Sequence, residues 1–306
     1  MMSTMPVIFL MGPTASGKSH LAMQWAQKYP IEIISVDSAM VYRGMDIGTA
    51  KPSLAERQRV PHHLIDVCDP ADRYSVAMFC QAAQEAIEQI LARDRIPLLV
   101  GGTMLYHRAL LYGLSTLPPA NSEIREEINQ QARQLGWPAL HQKLKQIDPI
   151  SYQKILPQDA QRIQRALEIY QLTGQPISSY WQQDKPIVNW PFKLLAIVPE
   201  ARHILHQRIA ARFNQMLSLG LVNEVERLYQ RSDLHVDLPA IRCVGYRQIW
   251  QMLAGQCSYE QMVDKAVAAT RQLAKRQLTW LRHWPDKIIC LAPDTAEECD
   301  LQDFYI

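Results

Sequence analysis

"VIFLMGPTASGKSHLAMQWAQ", residues 7–27, sets an apolar run, a loop matching G-x-x-x-x-G-K-[ST] and an amphipathic segment in direct succession. An apolar run that breaks abruptly into turn residues predicts a strand, and HLAMQWAQ predicts the helix that leaves the loop. In that setting consecutive backbone N–H groups and the positive end of the helix converge on one hollow, and Lys18 adds a mobile charge. Gly12, Pro13, Thr14, Ala15, Ser16, Gly17, Lys18 and Ser19 are therefore the candidate cradle for a di- or triphosphate.

Outward from this loop, further β-rich apolar segments follow: EIISVD (32–37), HHLIDV (62–67) and IPLLVGG (96–102). Between the last two, SVAMFCQAAQEAIEQILARD (75–94) carries Phe79, Ala83, Ala86, Ile87 and Ile90 at helical spacing. This alternation predicts an α/β fold, a P-loop NTPase-like parallel sheet flanked by helices. FKLLAIVP (192–199) and KIICLA (287–292) predict later strands, so the core resumes after an insertion. LPPAN, GWP, DP and TGQP break residues 114–190 into helices, with Gly174 suited to cap DAQRIQRALEIYQLTG. The expected domains are a catalytic core, 1–113 and 191–306, and a mostly helical lobe, 114–190, expected to close over a nucleic-acid partner.

The 306 residues carry a net charge of +2, so any nucleic-acid surface must be local rather than global. Six cysteines contain no C-x-x-C pair and read as reduced packing residues, which argues against structural zinc. With no basic leader and no apolar run near ~18 residues, a soluble cytoplasmic protein is expected.

An ATP-using site would be expected to place an acidic residue at a later strand end to organise Mg²⁺, yet the obvious candidate strand ends LLVGGT. Asp37, closing EIISVD, is the carboxylate best placed by the strand pattern, with Asp66 in HHLIDVCD as an alternative. Ligands of open α/β sheets bind at the carboxyl edge, where the loop after Asp37 should lie. A kinase of a small metabolite could use Asp37 as a base toward a hydroxyl.

Several separated blocks carry a more specific resemblance: GPTASGKS, DSAMVYRGMDIGTAKP, VGGTMLY, DAQRIQRALEIYQLTG, RCVGYRQIW and ATRQLAKRQLTWLR. In this order, from residue 6 to about residue 290, they resemble the bacterial tRNA dimethylallyltransferases, which prenylate the adenine 3′ of certain anticodons. The resemblance implies that the phosphate loop holds dimethylallyl diphosphate, that pyrophosphate is the leaving group, and that Mg²⁺ is the cofactor. It implies that Ser19 supplies a hydroxyl near Mg²⁺, with Asp37 acting on the ion through water, and that Asp37 is the base taking a proton from adenine N6. Thr103 matches a residue between the diphosphate and the tRNA. An adenine amine is a poor nucleophile, so a positioned base is worth on the order of 10² to 10⁴ in rate. Charge gathering on pyrophosphate calls for a further cation, for which Arg212 in HQRIAARFNQML is the candidate and Arg208 the alternative.

By the same resemblance, tRNA contacts fall on Asp37, Ser38, Ala39, Met40 and Thr103, and on Gln161, Arg162, Ile163, Gln164 and Arg165. They also fall on Arg242, Cys243, Val244, Gly245, Tyr246 and Arg247, with Arg125 as a weaker carry-over. Arg271, Lys275 and Arg282 lie within about 40° on one helical face, and Arg276 adjoins them, which makes a phosphate-contacting stripe. Trp280 and Trp284 are expected to pack in the core. The chain departs from the family pattern at Asn121, commonly Asp, and near Leu156, where a His is frequent. Expected partners are a tRNA anticodon stem-loop and dimethylallyl diphosphate, for a monomer away from membranes, with no metal beyond Mg²⁺. The alternatives are the metabolite kinase and a non-catalytic RNA-binding module.

Overall fold

The computed structural model describes residues 5–114, 117–181, 186–199, 201–293 and 299–304. VIFLM forms β1, Val7–Met11, and all of it is buried, the signature of a parallel strand covered on both faces. The other strands are β2 (Ile31–Ser35), β3 (His62–His63), β4 (Ile96–Gly101), β5 (Phe192–Ile197) and β6 (Ile289–Leu291). They form a six-stranded sheet, β3-β2-β4-β1-β5-β6, in which every pairing is parallel. The carboxyl end of β1, flanked by β4 and β5, therefore opens the phosphate loop in the middle of the sheet edge.

The strand expected over 62–67 is cut to two residues. Leu64 and Asp66 take φ of 61° and 59°, in the left-handed region, where extended pairing with β2 cannot continue.

Between the strands run α1 (Lys18–Lys28), α2 (Leu54–Arg59), α3 (Val76–Leu91) and α4 (Met104–Tyr112). Ser75 caps α3 by accepting the Met78 N–H, and the helix buries the five apolar residues that its sequence spacing predicts. Trp25 of α1 packs with Ile8, Leu98 and Leu195 in the sheet core.

Two compact units result, Met1–Leu111 with Ile187–Ile306, and Tyr112–Pro186. The described residues of the smaller unit form α5 (Ser122–Leu135), α6 (Trp137–Ile147), α7 (Pro149–Lys154) and α8 (Ala160–Thr173). Ile128, Leu140, Leu144 and Ile163 make its core, and Gly174 caps α8 at φ 69°. The Asn121 side chain accepts the Ile124 N–H, so asparagine performs the helix cap that an aspartate would.

In the larger unit the chain continues as α9 (Arg202–Ser218), α10 (Leu221–Tyr229), α11 (Tyr246–Leu253) and α12 (Tyr259–Arg282). Phe213, Leu221, Tyr246, Trp250 and Met262 from these helices pack on Val41, Tyr42 and Met45. That second core fixes the loop after β2 against the C-terminal helices. Among the described residues no helix is long and apolar enough to cross a membrane.

Candidate active site

The phosphate loop closes tightly on itself. Gly12 takes φ 149°, and a Cβ there would stand 2.6 Å from the Ile197 carbonyl oxygen, so β5 leaves room for glycine alone. Lys18, 9% exposed, donates from Nζ to the Pro13 carbonyl at 2.6 Å and to Ser16 Oγ at 3.4 Å. Burial pushes its ammonium down to about 7, the Arg212 charge adds to that shift, and Asp37 opposes both. A diphosphate would supply the counter-charge that this lysine lacks.

Asp37 follows β2, and its Oδ1 accepts the N–H groups of Ala39 at 2.8 Å and Met40 at 3.3 Å. This turn fixes the carboxylate through a single oxygen. Thr103, just past β4, accepts the Ser38 N–H on Oγ1 at 3.1 Å and donates to Ser38 Oγ at 3.4 Å. The loops after β2 and β4 are thereby joined at the sheet edge, as the crevice rule for open sheets requires. Asp66, the alternative base, is held by Lys51 at 2.6 Å and Arg57 at 2.7 Å and borders neither of the cavities described next.

Two cavities meet at this edge. One, of ≈ 520 Å³, is bordered by Ser38, Ala39, Thr103, Phe213, the Arg242–Tyr246 stretch, Arg276 and Trp280. The other, of ≈ 330 Å³, is bordered by Lys18, Ser19, His20, Met23, Met40 and Ile65. Thr14, Asp37, Gly102, Arg212 and Gln277 border both and so mark the junction. A two-chambered site suits two substrates that meet at one point. Of the two candidate arginines, Arg212 borders both cavities, whereas Arg208 is exposed and borders neither. The Arg212 Nε–H is buried without a hydrogen-bond partner among the described residues. Burial lowers its guanidinium from the ordinary value, and the Asp37 charge offsets part of that.

The residues expected to meet tRNA fall into three groups. Arg242 and Arg247 are exposed, while Cys243, Val244, Gly245 and Tyr246 border the larger cavity, where burial and then Asp37 push the Cys243 thiol up to about 12. On α12, Arg271, Lys275, Arg276 and Arg282 are all exposed. In the helical unit the side chains are more committed. Arg125 grips the fully buried Glu168 at 2.9 and 3.1 Å, and Arg165 binds Glu168 at 2.7 Å and the Pro118 carbonyl at 2.6 Å. Ile163 is 0% exposed within the core, so its side chain packs instead of facing a partner. Gln161 and Arg162 are exposed, and Gln164 donates to Asn129.

Trp284 is buried as expected, but Trp280 borders the larger cavity and is corrected to a wall residue. Gln277, Phe213 and Glu224 were not singled out by sequence. The α12 periodicity does hold a clue to Gln277, which falls with Met262, Ala266 and Ala274 on the face turned from Arg271.

A family model described as IPP transferase matches residues 40–284. The tRNA dimethylallyltransferase of Burkholderia pseudomallei (strain 668) is 54% identical over 300 residues, spanning 96% of this chain and 93% of that protein. The crystal structure of full-length tRNA isopentenylpyrophosphate transferase from Bacillus halodurans matches with a TM-score of 0.69 at 35% identity, covering 97% of this chain and 92% of that one. A eukaryotic dimethylallyltransferase acting on tRNA matches with a TM-score of 0.78 at 26% identity, covering 98% and 77%. With a family model across most of its length and a relative more than half identical over nearly all of it, this chain belongs to the IPP transferase family.

Proposed function

We propose that the chain is a tRNA dimethylallyltransferase that moves a dimethylallyl group from dimethylallyl diphosphate to N6 of the adenine 3′-adjacent to the anticodon, releasing pyrophosphate. The observation that carries this reading is the junction of two cavities at Asp37, with Lys18 and Arg212 beside it. The smaller cavity, floored by the phosphate loop, takes the diphosphate. The larger one, walled by Trp280 and the Arg242–Tyr246 stretch, takes an adenine flipped from its stack.

In this scheme Asp37 accepts the N6 proton as that nitrogen bonds to C1 of the prenyl group and the C1–O bond breaks. The electron pair leaves on pyrophosphate. Loop N–H groups, Lys18 and Arg212 stabilise the charge gathering there, each fixed before the reaction begins. Ser19 Oγ and the Asp37 carboxylate both border the diphosphate cavity and offer the hard oxygen donors that Mg²⁺ prefers. Bound there with the diphosphate, Mg²⁺ would neutralise part of the leaving group's charge. Gln161, Arg162 and Gln164 of the helical unit, the exposed arginines of α12 and Arg242 and Arg247 are assigned to tRNA contact.

Labelled dimethylallyl diphosphate incubated with an anticodon stem-loop bearing consecutive adenines tests the reading: label should pass to the RNA without ATP. ATP consumption with no transfer would instead support a metabolite kinase, and RNA binding indifferent to loss of Lys18 a non-catalytic module.

A further inference from the structure

Gln277 bridges the two loops that border the cavity junction. Its Oε1 accepts the Thr14 N–H at 2.9 Å, and its Nε2 donates to the Gly102 carbonyl oxygen at 2.9 Å. The side chain is 8% exposed. Thr14 belongs to the phosphate loop. Gly102 precedes Thr103, which holds the Ser38 N–H next to Asp37. One amide therefore spans from the diphosphate cradle to the loop that orients the base.

The chemistry demands this side chain. The bond to Thr14 needs an acceptor and the bond to Gly102 needs a donor, a pair that a planar amide presents and a carboxylate or apolar chain does not. Gly102 is complementary, because a Cβ there would stand 2.3 Å from Gln277 Nε2 and displace it. The same helix, α12, turns Arg271, Lys275 and Arg276 to solvent within two turns of Gln277. A helix that presents cations outward thus has its inner face bonded to the phosphate loop.

We propose that Gln277 is a positioning residue for the transfer: it fixes the phosphate loop to the Gly102–Thr103 turn and, through α12, sets the tRNA-contacting helix in register with the diphosphate. The proposal rests on the reaction assigned above. Gln277 takes no proton and forms no bond to either substrate in this role. It holds the distance that attacking nitrogen and prenyl carbon must close.

The test compares Gln277→Ala, Gly102→Ala and the double variant with the wild-type chain. Single-turnover transfer at saturating substrates is measured beside separate affinities for inorganic pyrophosphate and the stem-loop, and beside Tm. Misplacement of about 1 Å costs on the order of 10²-fold in rate, so each single variant should slow saturated transfer by roughly 10- to 100-fold while both affinities stay within about threefold. The double variant should be about as slow as the slower single, since without the amide the methyl group on residue 102 meets only the Gly12 carbonyl oxygen, at 3.2 Å, and loses the severe contact at 2.3 Å. Wild-type rates in Gln277→Ala, a loss confined to Tm, or multiplicative losses in the double variant would overturn the proposal. A wild-type chain that transfers no label would overturn the assigned reaction itself.

Discussion

Glu224 Oε1 accepts the hydroxyl proton of Tyr246 at 2.5 Å, while the same carboxylate accepts the N–H groups of Asp46, Ile47 and Gly48 at 3.0, 2.8 and 3.2 Å. The loop after β2 and the start of α11, which both border the larger cavity, are thus tied to one carboxylate that is 2% exposed. Removing it strands the buried Tyr246 hydroxyl, a loss worth ~1–3 kcal/mol, together with three part-buried backbone N–H groups. Glu224→Ala should therefore lower the unfolding free energy by at least ~3 kcal/mol, and Tyr246→Phe by about 1.5–3 kcal/mol, in urea titrations with unchanged m-value. A neutral Tyr246→Phe would mean that the phenol bond contributes nothing.

Lys18 gives a pH dependence whose sign can be worked out. Its folded value near 7 lies below the ordinary 10.5, so between those limits the unfolded chain holds the extra proton and stability rises with pH. The penalty is complete below about 7 and gone above 10.5. A bound diphosphate favours the charged form, so binding above pH 7 should take up close to one proton at Lys18. Pyrophosphate affinity should then fall by up to about tenfold per pH unit above that point. Calorimetry at pH 8 in buffers of different ionisation enthalpy measures the uptake. Lys18→Met should abolish it, and an uptake unchanged by that substitution would assign the proton elsewhere.

The basic residues should separate by what they touch. Arg271 and Lys275 face solvent, and their replacement by Ala should weaken tRNA binding and lower the log–log salt slope by roughly 0.7–0.9 for each phosphate no longer neutralised. Arg125 instead holds Glu168, whose carboxyl burial pushes up and whose bonds from Arg125 and Arg165 bring below the usual range. Arg125→Ala leaves a buried carboxylate short of a partner and should unfold the helical unit at lower urea, by ~3 kcal/mol. An Arg125→Ala chain of native stability with a reduced salt slope would reverse this division.

The sheet was legible because central parallel strands are buried on both faces and read as uninterrupted apolar runs, as VIFLM does. β3 was misjudged because nothing in the composition of HHLIDV announces left-handed Leu64 and Asp66, or the bonds that the Asp66 carboxylate accepts from Lys51 and Arg57. The phosphate loop was legible because its motif sets residue types at fixed spacing, and the place of Asp37 at the sheet edge because it closes the strand pattern EIISVD. Gln277 and Glu224 were not: the α12 periodicity sets Gln277 on the buried face, but nothing local in either residue names the partner it binds. Their partners lie 263 and 22 residues away in sequence.

Asp37 separates chemistry from binding most cleanly. Both hydrogen bonds that orient it fall on Oδ1, so an asparagine that keeps that oxygen keeps the turn to Ala39 and Met40. What Asp37→Asn loses is the charge and the capacity to accept a proton. Single-turnover transfer at saturating substrates should slow by roughly 10² to 10⁴, while stem-loop affinity changes little. Pyrophosphate affinity measured with and without Mg²⁺ isolates any part that Asp37 plays at the ion: a loss seen only with Mg²⁺ assigns it that second role. A rate loss below about tenfold removes Asp37 as the base. Asp66 would not inherit the role, because its carboxylate is spent on Lys51 and Arg57 and borders neither cavity.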